Sequence, residues 1–325
     1  MKSFISWICI IVGLFNCIDG IYGDAPNFIS GAGITVLATS QINKQLYELV
    51  LSSEQVRGSQ TIRILLPEDY TTSGPNRRYP TLYLLHGATD DGRSWTMKGA
   101  AQRVIGNSPI ISIMPNGDPA GFYTNWVIPG DAAPQNWRTY HMEQLVPWVD
   151  LNLRTVAKKT GRAIAGNSMG GYGTIHYAER YTNNFVYAAS FSGAVDIMDP
   201  SLQKMILDAP TPSGQPFVGP FGYPNASEST NGWIAENTVN HASLFRNISV
   251  ALYTGAVGSL ELLLRNGTYR LRTAIQATTT PLYFDDYGHG QSIGQGCTGE
   301  HSWNCWKGTL GDVLPRMLAV LEQQH

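Results

Sequence analysis

Apolar residues in this chain fall in short blocks rather than in long helical stripes. Residues 45–51 and 60–66 read as two strands with Gly58 in the turn between them. Alternation of apolar and polar positions in the second predicts an antiparallel pair at a sheet edge, since period two puts one face toward a core and the other toward water. Six further runs, at 81–85, 109–114, 163–165, 186–191, 249–253 and 281–284, are almost continuously apolar. Each stops at a turn-forming or polar group such as His86-Gly87, Ser192-Gly193 or Asp285-Asp286. Runs of that kind fit strands buried on both faces. Helical spacing occurs at 144–152, 174–181 and 309–323, the last interrupted by Pro315. Strands alternating with helices predict a mostly parallel sheet, of eight strands here, with helices on both faces. Ligands of such sheets bind beyond the carboxyl ends of the strands, where Gly87, Ser168, Gly193 and Gly255 fall. Residues 196–246 break the rhythm, with five prolines from Pro210 to Pro224. An irregular insertion of that length is expected to serve as a cap over the site, within a single domain spanning 24–325.

One strand-to-helix junction carries chemistry. In Gly166-Asn167-Ser168-Met169-Gly170 the serine lies between two glycines, with an apolar run before it and helical spacing after it. This is the nucleophile elbow of the α/β-hydrolase fold, which lifts a serine hydroxyl above the sheet. The following helix start favours negative charge beside that hydroxyl. Two backbone N–H groups are needed to hold the developing oxyanion. Met169 is expected to supply one and Ala88, in the loop after the 81–85 strand, the other.

Serine needs a base, and in this fold the chain order is Ser, then Asp or Glu, then His. Of the seven histidines, His289 and His301 lie between the last strand and the final helix. His301, just before that helix, is preferred as the base, and His289 at the strand end is the alternative. Glu261 is the first carboxylate after the 249–253 strand and is the favoured acid. Asp285, Asp286 and Asp196 remain open.

Composition narrows the class. Charged residues make up 14% of the chain, the net charge is −2, and no basic run is present, which speaks against nucleic acid as a partner. Residues 1–23 read as a secretory signal, with Lys2, an apolar run over 4–15 and a cleavage site at Ile21-Tyr22-Gly23. The run is shorter than the roughly 20 residues of a membrane span, so the expectation is a secreted protein without stable membrane insertion; an uncleaved anchor is the rival. After cleavage only Cys297 and Cys305 remain, a pair expected to form a disulfide in an oxidising compartment. Asn225, Asn247 and Asn266 head possible glycosylation tripeptides. No third ligand with zinc spacing joins His289 and His301, so neither a metal nor another cofactor is expected.

Together these segments resemble a family. Tyr79 to Gly87 followed by Ala163 to Gly173 is similar to the esterase D superfamily of α/β-hydrolases, which includes S-formylglutathione hydrolases and feruloyl-esterase-like enzymes. Met114-Pro115-Asn116-Gly117, Phe122-Tyr123-Thr124-Asn125-Trp126, and Gly288-His289 followed by His301-Ser302-Trp303 resemble its secreted mycolyltransferase, antigen 85-like branch. The resemblance implies that the later histidine, His301, is the base, and it suggests His86, Trp126 and Trp303 as substrate contacts. Two positions depart from the branch. His86 replaces an aspartate that helps hold trehalose, and gapless placement puts Tyr269 where the branch has its acid glutamate. The expected function is a secreted serine esterase or acyltransferase acting on a small-molecule, carbohydrate or lipid ester. The rival from another class is a binding protein that kept the fold and lost the chemistry.

Overall fold

The computed structural model describes residues 26–211, 214–227 and 231–323; the expected signal at 1–23 lies outside them. The strands are β1 (Ile34–Gln41), β2 (Leu46–Ser53), β3 (Val56–Leu65), β4 (Thr81–Leu85) and β5 (Ile111–Met114). After them come β6 (Arg162–Asn167), β7 (Tyr187–Phe191), β8 (Ser249–Gly255) and β9 (Leu282–Gly288). All belong to one sheet in the order β1-β2-β3-β5-β4-β6-β7-β8-β9. The pairs from β1 to β5 along that order are antiparallel and the rest parallel. The sheet is that of an α/β-hydrolase.

Among the described residues it has nine strands rather than the eight expected. The additional one is β1, whose residues are exposed or half-buried after Ile34. Its pairing to β2 rests on backbone hydrogen bonds rather than on a buried face, so no apolar alternation marks it in the sequence.

Short helices α1 (Ser94–Met97), α2 (Ala101–Ile105) and α3 (Trp137–Thr139) precede a π-helical stretch, Tyr140–Leu145, that runs into α4 (Val146–Asn152). Then come α5 (Met169–Arg180), α6 (Pro200–Leu207), α7 (Gly232–Glu236), α8 (Ser259–Gln276) and α9 (Trp303–Leu318). Alternate residues of the central strands enter two separate cores. Tyr83, Ile164 and Leu252 pack with Trp148, Ile175 and Leu271 on one face. Leu82, Ala165 and Tyr253 pack with Ile105, Leu310 and Val313 on the other. Leu82 and Leu84 are fully buried, each worth about 1.5–3 kcal/mol relative to exposure. This two-sided burial is why those strands read as unbroken apolar runs.

Two helices differ from expectation. The last one starts at Trp303, six residues earlier than the 309 read from the sequence. Helix α8, the longest at 18 residues, is not marked by the pattern, partly because Gly267 interrupts it. That glycine lets α8 approach Asp196, whose Cβ would lie 3.2 Å from a Cβ at position 267. Residues 196–246 connect β7 to β8 and contain α6, α7 and a 3-10 turn, Thr238–Leu244.

Candidate active site

The site grows from the β6–α5 junction. Ser168 has a φ of +55° and a ψ of −120°, a conformation disfavoured for a residue with a side chain. The surrounding packing holds it there. A Cβ on Gly166 would lie 2.4 Å from the Gly170 carbonyl oxygen, and one on Gly170 would lie 2.4 Å from that of Leu85. Both obstacles are backbone, which cannot yield, so strand, turn and helix meet this closely only with glycine on each side of the serine.

Two other elements deliver the partners. His301 ends the loop between β9 and α9, and that loop is cross-linked by the Cys297–Cys305 disulfide. Glu261 sits in the first turn of α8 and is fully buried. The Ser168 hydroxyl lies 2.9 Å from His301 Nε2, and His301 Nδ1 lies 2.7 Å from Glu261 Oε2. The second contact fixes the ring, with Nδ1–H donating to the carboxylate and Nε2 free to accept from the serine. Glu261 Oε1 accepts from the Gly255 N–H at 2.7 Å, the Ser192 hydroxyl at 2.7 Å and the Thr254 hydroxyl at 3.3 Å. A buried carboxylate needs such donors, because burying a charge without them is costly. Ser192 and Thr254 were not singled out by sequence; their only signal is their position at the ends of β7 and β8. Tyr287 completes the cluster, its hydroxyl 3.1 Å from Ser192. Burial, with the Glu261 charge adding to it, pushes the Tyr287 phenol well above its ordinary value.

Of the alternative carboxylates, Asp286 and Asp196 are engaged elsewhere. Asp286 accepts from Arg265, from the Tyr269 hydroxyl at 2.6 Å and from the Gly288 N–H at 3.2 Å. Tyr269, at the position where gapless placement puts the branch's glutamate, therefore serves Asp286 and not the histidine. Asp196 is paired with Arg270. Burial raises the Asp285 carboxyl, with the charge of Asp312 adding to the effect. His289 is exposed.

Beside Ser168 lies a cavity of about 620 Å³. Ala88, Met169 and His301 line it, and neither the Ala88 nor the Met169 N–H is bonded to a described residue. Apolar side chains come from α6 and the start of α8: Leu202, Met205, Ile206, Leu260 and Leu264. Trp303 also lines it.

Two expected substrate contacts are corrected. His86 is fully buried beneath the loop. Its Nδ1–H donates to the Gly87 carbonyl at 2.8 Å, and its Nε2 accepts from the Gly117 N–H at 2.8 Å. Burial lowers its pKa and so favours the neutral ring. Its role is to tie the loop carrying Ala88 to the end of β5. Trp126 stands one layer behind the cavity. Its indole N–H donates to Gly121 at 3.0 Å, and its ring meets Phe217, which lines the cavity, at 5.4 Å. Among the described residues no group of three or more His, Cys, Asp or Glu is arranged to hold a metal ion. No described helix is long and apolar enough to cross a membrane.

Comparison with known proteins fits this geometry. The Esterase family model matches residues 53–317. The chain belongs to the Esterase family. Within it, the chain is 30% identical over 257 residues to diacylglycerol acyltransferase/mycolyltransferase Ag85A of Mycobacterium leprae, covering 74% of this chain and 76% of that one. It therefore sits in the esterase D, antigen 85-like branch. It is also 39% identical over 169 residues to Esterase MT1326 of Mycobacterium tuberculosis, covering 51% of this chain but only 36% of that protein. Among solved structures, the S-formylglutathione hydrolase of Agrobacterium tumefaciens shares the fold with a TM-score of 0.68 at 17% identity, covering 88% and 99% of the two chains. A ferulic acid esterase does so with a TM-score of 0.63 at 19% identity, covering 85% and 98%.

Proposed function

We propose that this chain is a secreted serine esterase or acyltransferase that works through an acyl-enzyme on Ser168. The observation that carries the reading is the unbroken hydrogen-bond path from Ser168 through His301 to Glu261 beside an open cavity. Ser168 Oγ attacks the ester carbonyl carbon while its proton passes to His301 Nε2. Glu261 stays ionised and stabilises the resulting imidazolium, whose Nδ1 proton remains on the ring. The N–H groups of Ala88 and Met169 receive the carbonyl oxygen as it becomes negative, where each donor is worth about 2.7–4 kcal/mol of barrier. Collapse of the tetrahedral species breaks the bond to the alcohol, which leaves with the proton held by His301. Water, or the hydroxyl of an acceptor, then gives its proton to His301 and attacks the acyl carbon; collapse breaks the bond to Ser168 Oγ, releases the acid or the new ester, and returns the proton from His301 to Ser168. The residues 196–246 that follow β7 act as a cap, since α6 within them lines the cavity.

A fluorophosphonate, which modifies an activated serine, tests the assignment. Intact mass should rise by one adduct in the native sequence and not in Ser168→Ala. Equal labelling of both proteins would overturn it. Secretion is supported by the charged and apolar pattern of residues 1–23, by the disulfide and by the exposure of Asn225, Asn247 and Asn266. Expression in a secreting eukaryotic host should yield a product in the medium that starts at Asp24 and shifts on glycosidase treatment. Retention of the intact N-terminus in the cell would refute that part.

A further inference from the structure

Ser192, the residue after β7, has a φ of +47°, a backbone conformation that side chains disfavour, as Ser168 does. Glycine would adopt it without steric cost, so a serine held there points to a task for its hydroxyl. Ser192 is fully buried and does not line the cavity, so the task is not contact with substrate. The turn it occupies grips the backbone of the nucleophile on both sides. The Ser168 N–H donates to the Phe191 carbonyl at 2.9 Å, and the Ala194 N–H donates to the Ser168 carbonyl at 3.1 Å. From within that turn the Ser192 hydroxyl donates to Glu261 Oε1 at 2.7 Å. Its single hydrogen is used there, because an ionised carboxylate only accepts. The Tyr287 phenol, kept protonated by burial, donates in turn to Ser192 at 3.1 Å. The other donors to Oε1, the Gly255 N–H and the Thr254 hydroxyl, belong to the end of β8, which leads directly into α8. They tie Glu261 to its own stretch of chain. Ser192 ties it to the stretch that holds the nucleophile.

We propose that Ser192 is a positioning residue for the reaction. It closes a ring from the Ser168 side chain through His301 and Glu261 to the Ser192 hydroxyl, and back through the turn to the Ser168 backbone. This rests on the Ser168–His301–Glu261 reading above and adds what holds those groups in register. The acid and the base come from the start of α8 and the β9–α9 loop, whereas the nucleophile comes from the β6–α5 junction. The Ser192 hydroxyl is a cross-tie between these two sets. It keeps Ser168 Oγ 2.9 Å from His301 Nε2, a contact that both formation and release of the acyl-enzyme use.

The test is steady-state hydrolysis of 4-nitrophenyl butyrate by Ser192→Gly and Ser192→Ala, each with a thermal melt. Both variants lose the hydroxyl. The glycine variant also loses the strain, so it should melt above the alanine one. Each should lower kcat by about tenfold to a hundredfold, the upper figure being the cost of a shift of about 1 Å in a reacting group. KM should not move, because Ser192 touches no substrate and His301 serves both steps. A merely structural role would instead make activity follow stability, with Ser192→Gly active and Ser192→Ala not. That pattern, an undiminished kcat in either folded variant, or a loss carried by KM would overturn the ring. A native protein that neither hydrolyses the ester nor takes up a fluorophosphonate would overturn the triad reading, and the ring with it.

Discussion

Replacing Glu261 by glutamine exchanges an oxygen for an NH2 group at nearly constant volume. The surroundings dictate which way the new amide points. Oε1 faces three donors, Gly255 N–H and the hydroxyls of Ser192 and Thr254. The backbone N–H at 2.7 Å cannot rotate, so an NH2 group there would leave two donors facing each other in a buried site. The amide carbonyl must therefore take the Oε1 position, and the NH2 group must face His301 Nδ1. His301 then holds its proton on Nε2, turned toward Ser168, and can no longer accept the serine proton. A base locked in the wrong tautomer costs about 10⁴ in kcat, or about 5.4 kcal/mol of barrier. Stability should change little, because the amide keeps every acceptor contact of Oε1 and removes a buried charge. Steady-state hydrolysis of 4-nitrophenyl butyrate, with a thermal melt of the same preparation, checks both parts. Turnover within tenfold of the native protein, in a variant that melts at the same temperature, would refute the reasoning. So would a loss of that size in Asp286→Asn with Glu261→Gln unaffected.

Other outcomes follow from the same geometry. Breaking the Cys297–Cys305 link by reduction or by Cys305→Ser should cut activity by about a hundredfold, the effect of displacing a catalytic group by about 1 Å. The link closes an eight-residue separation, for which the unfolded-state entropy contributes about 2.5 kcal/mol. Activity should therefore fail before the melt does, and full activity with both thiols free would contradict this. Acid should destabilise the fold through buried neutral histidines. His141 accepts from the Tyr177 hydroxyl at 2.9 Å and donates to the Asn116 carbonyl at 2.8 Å, and burial takes its pKa from 6.5 down to about 3. Between those values the unfolded chain binds a proton that the native protein does not. Stability is thus greatest above about pH 6.5 and falls as pH drops toward 3, by about 1.4 kcal/mol per pH unit for this group. His86 and His176, also lowered by burial, act in the same direction. Urea midpoints from pH 7.5 to 4.5 read this directly, and a flat profile would disprove it.

The features legible in the sequence are those whose cause is local. Gly166 and Gly170 flank Ser168 because any side chain would strike backbone, so the elbow shows as a pattern of five residues. The central strands are legible because burial on both faces leaves continuous apolar runs such as 81–85. Disulfide pairing followed from there being only two cysteines after residue 23. Other features depend on contacts between distant segments. Glu261 competes in the sequence with Asp285, Asp286 and Asp196; the fold sets Arg265 beside Asp286 and Arg270 beside Asp196, and of the four carboxylates it brings Glu261 within hydrogen-bond distance of His301. His86, just past the end of β4, is turned into the interior, and Trp126, in the loop after β5, packs behind Phe217, because the direction of each side chain depends on what distant segments pack around it. β1 owes its pairing to a neighbour's backbone, and α8 accommodates Gly267 to pass Asp196. Neither reason is written in the segment itself.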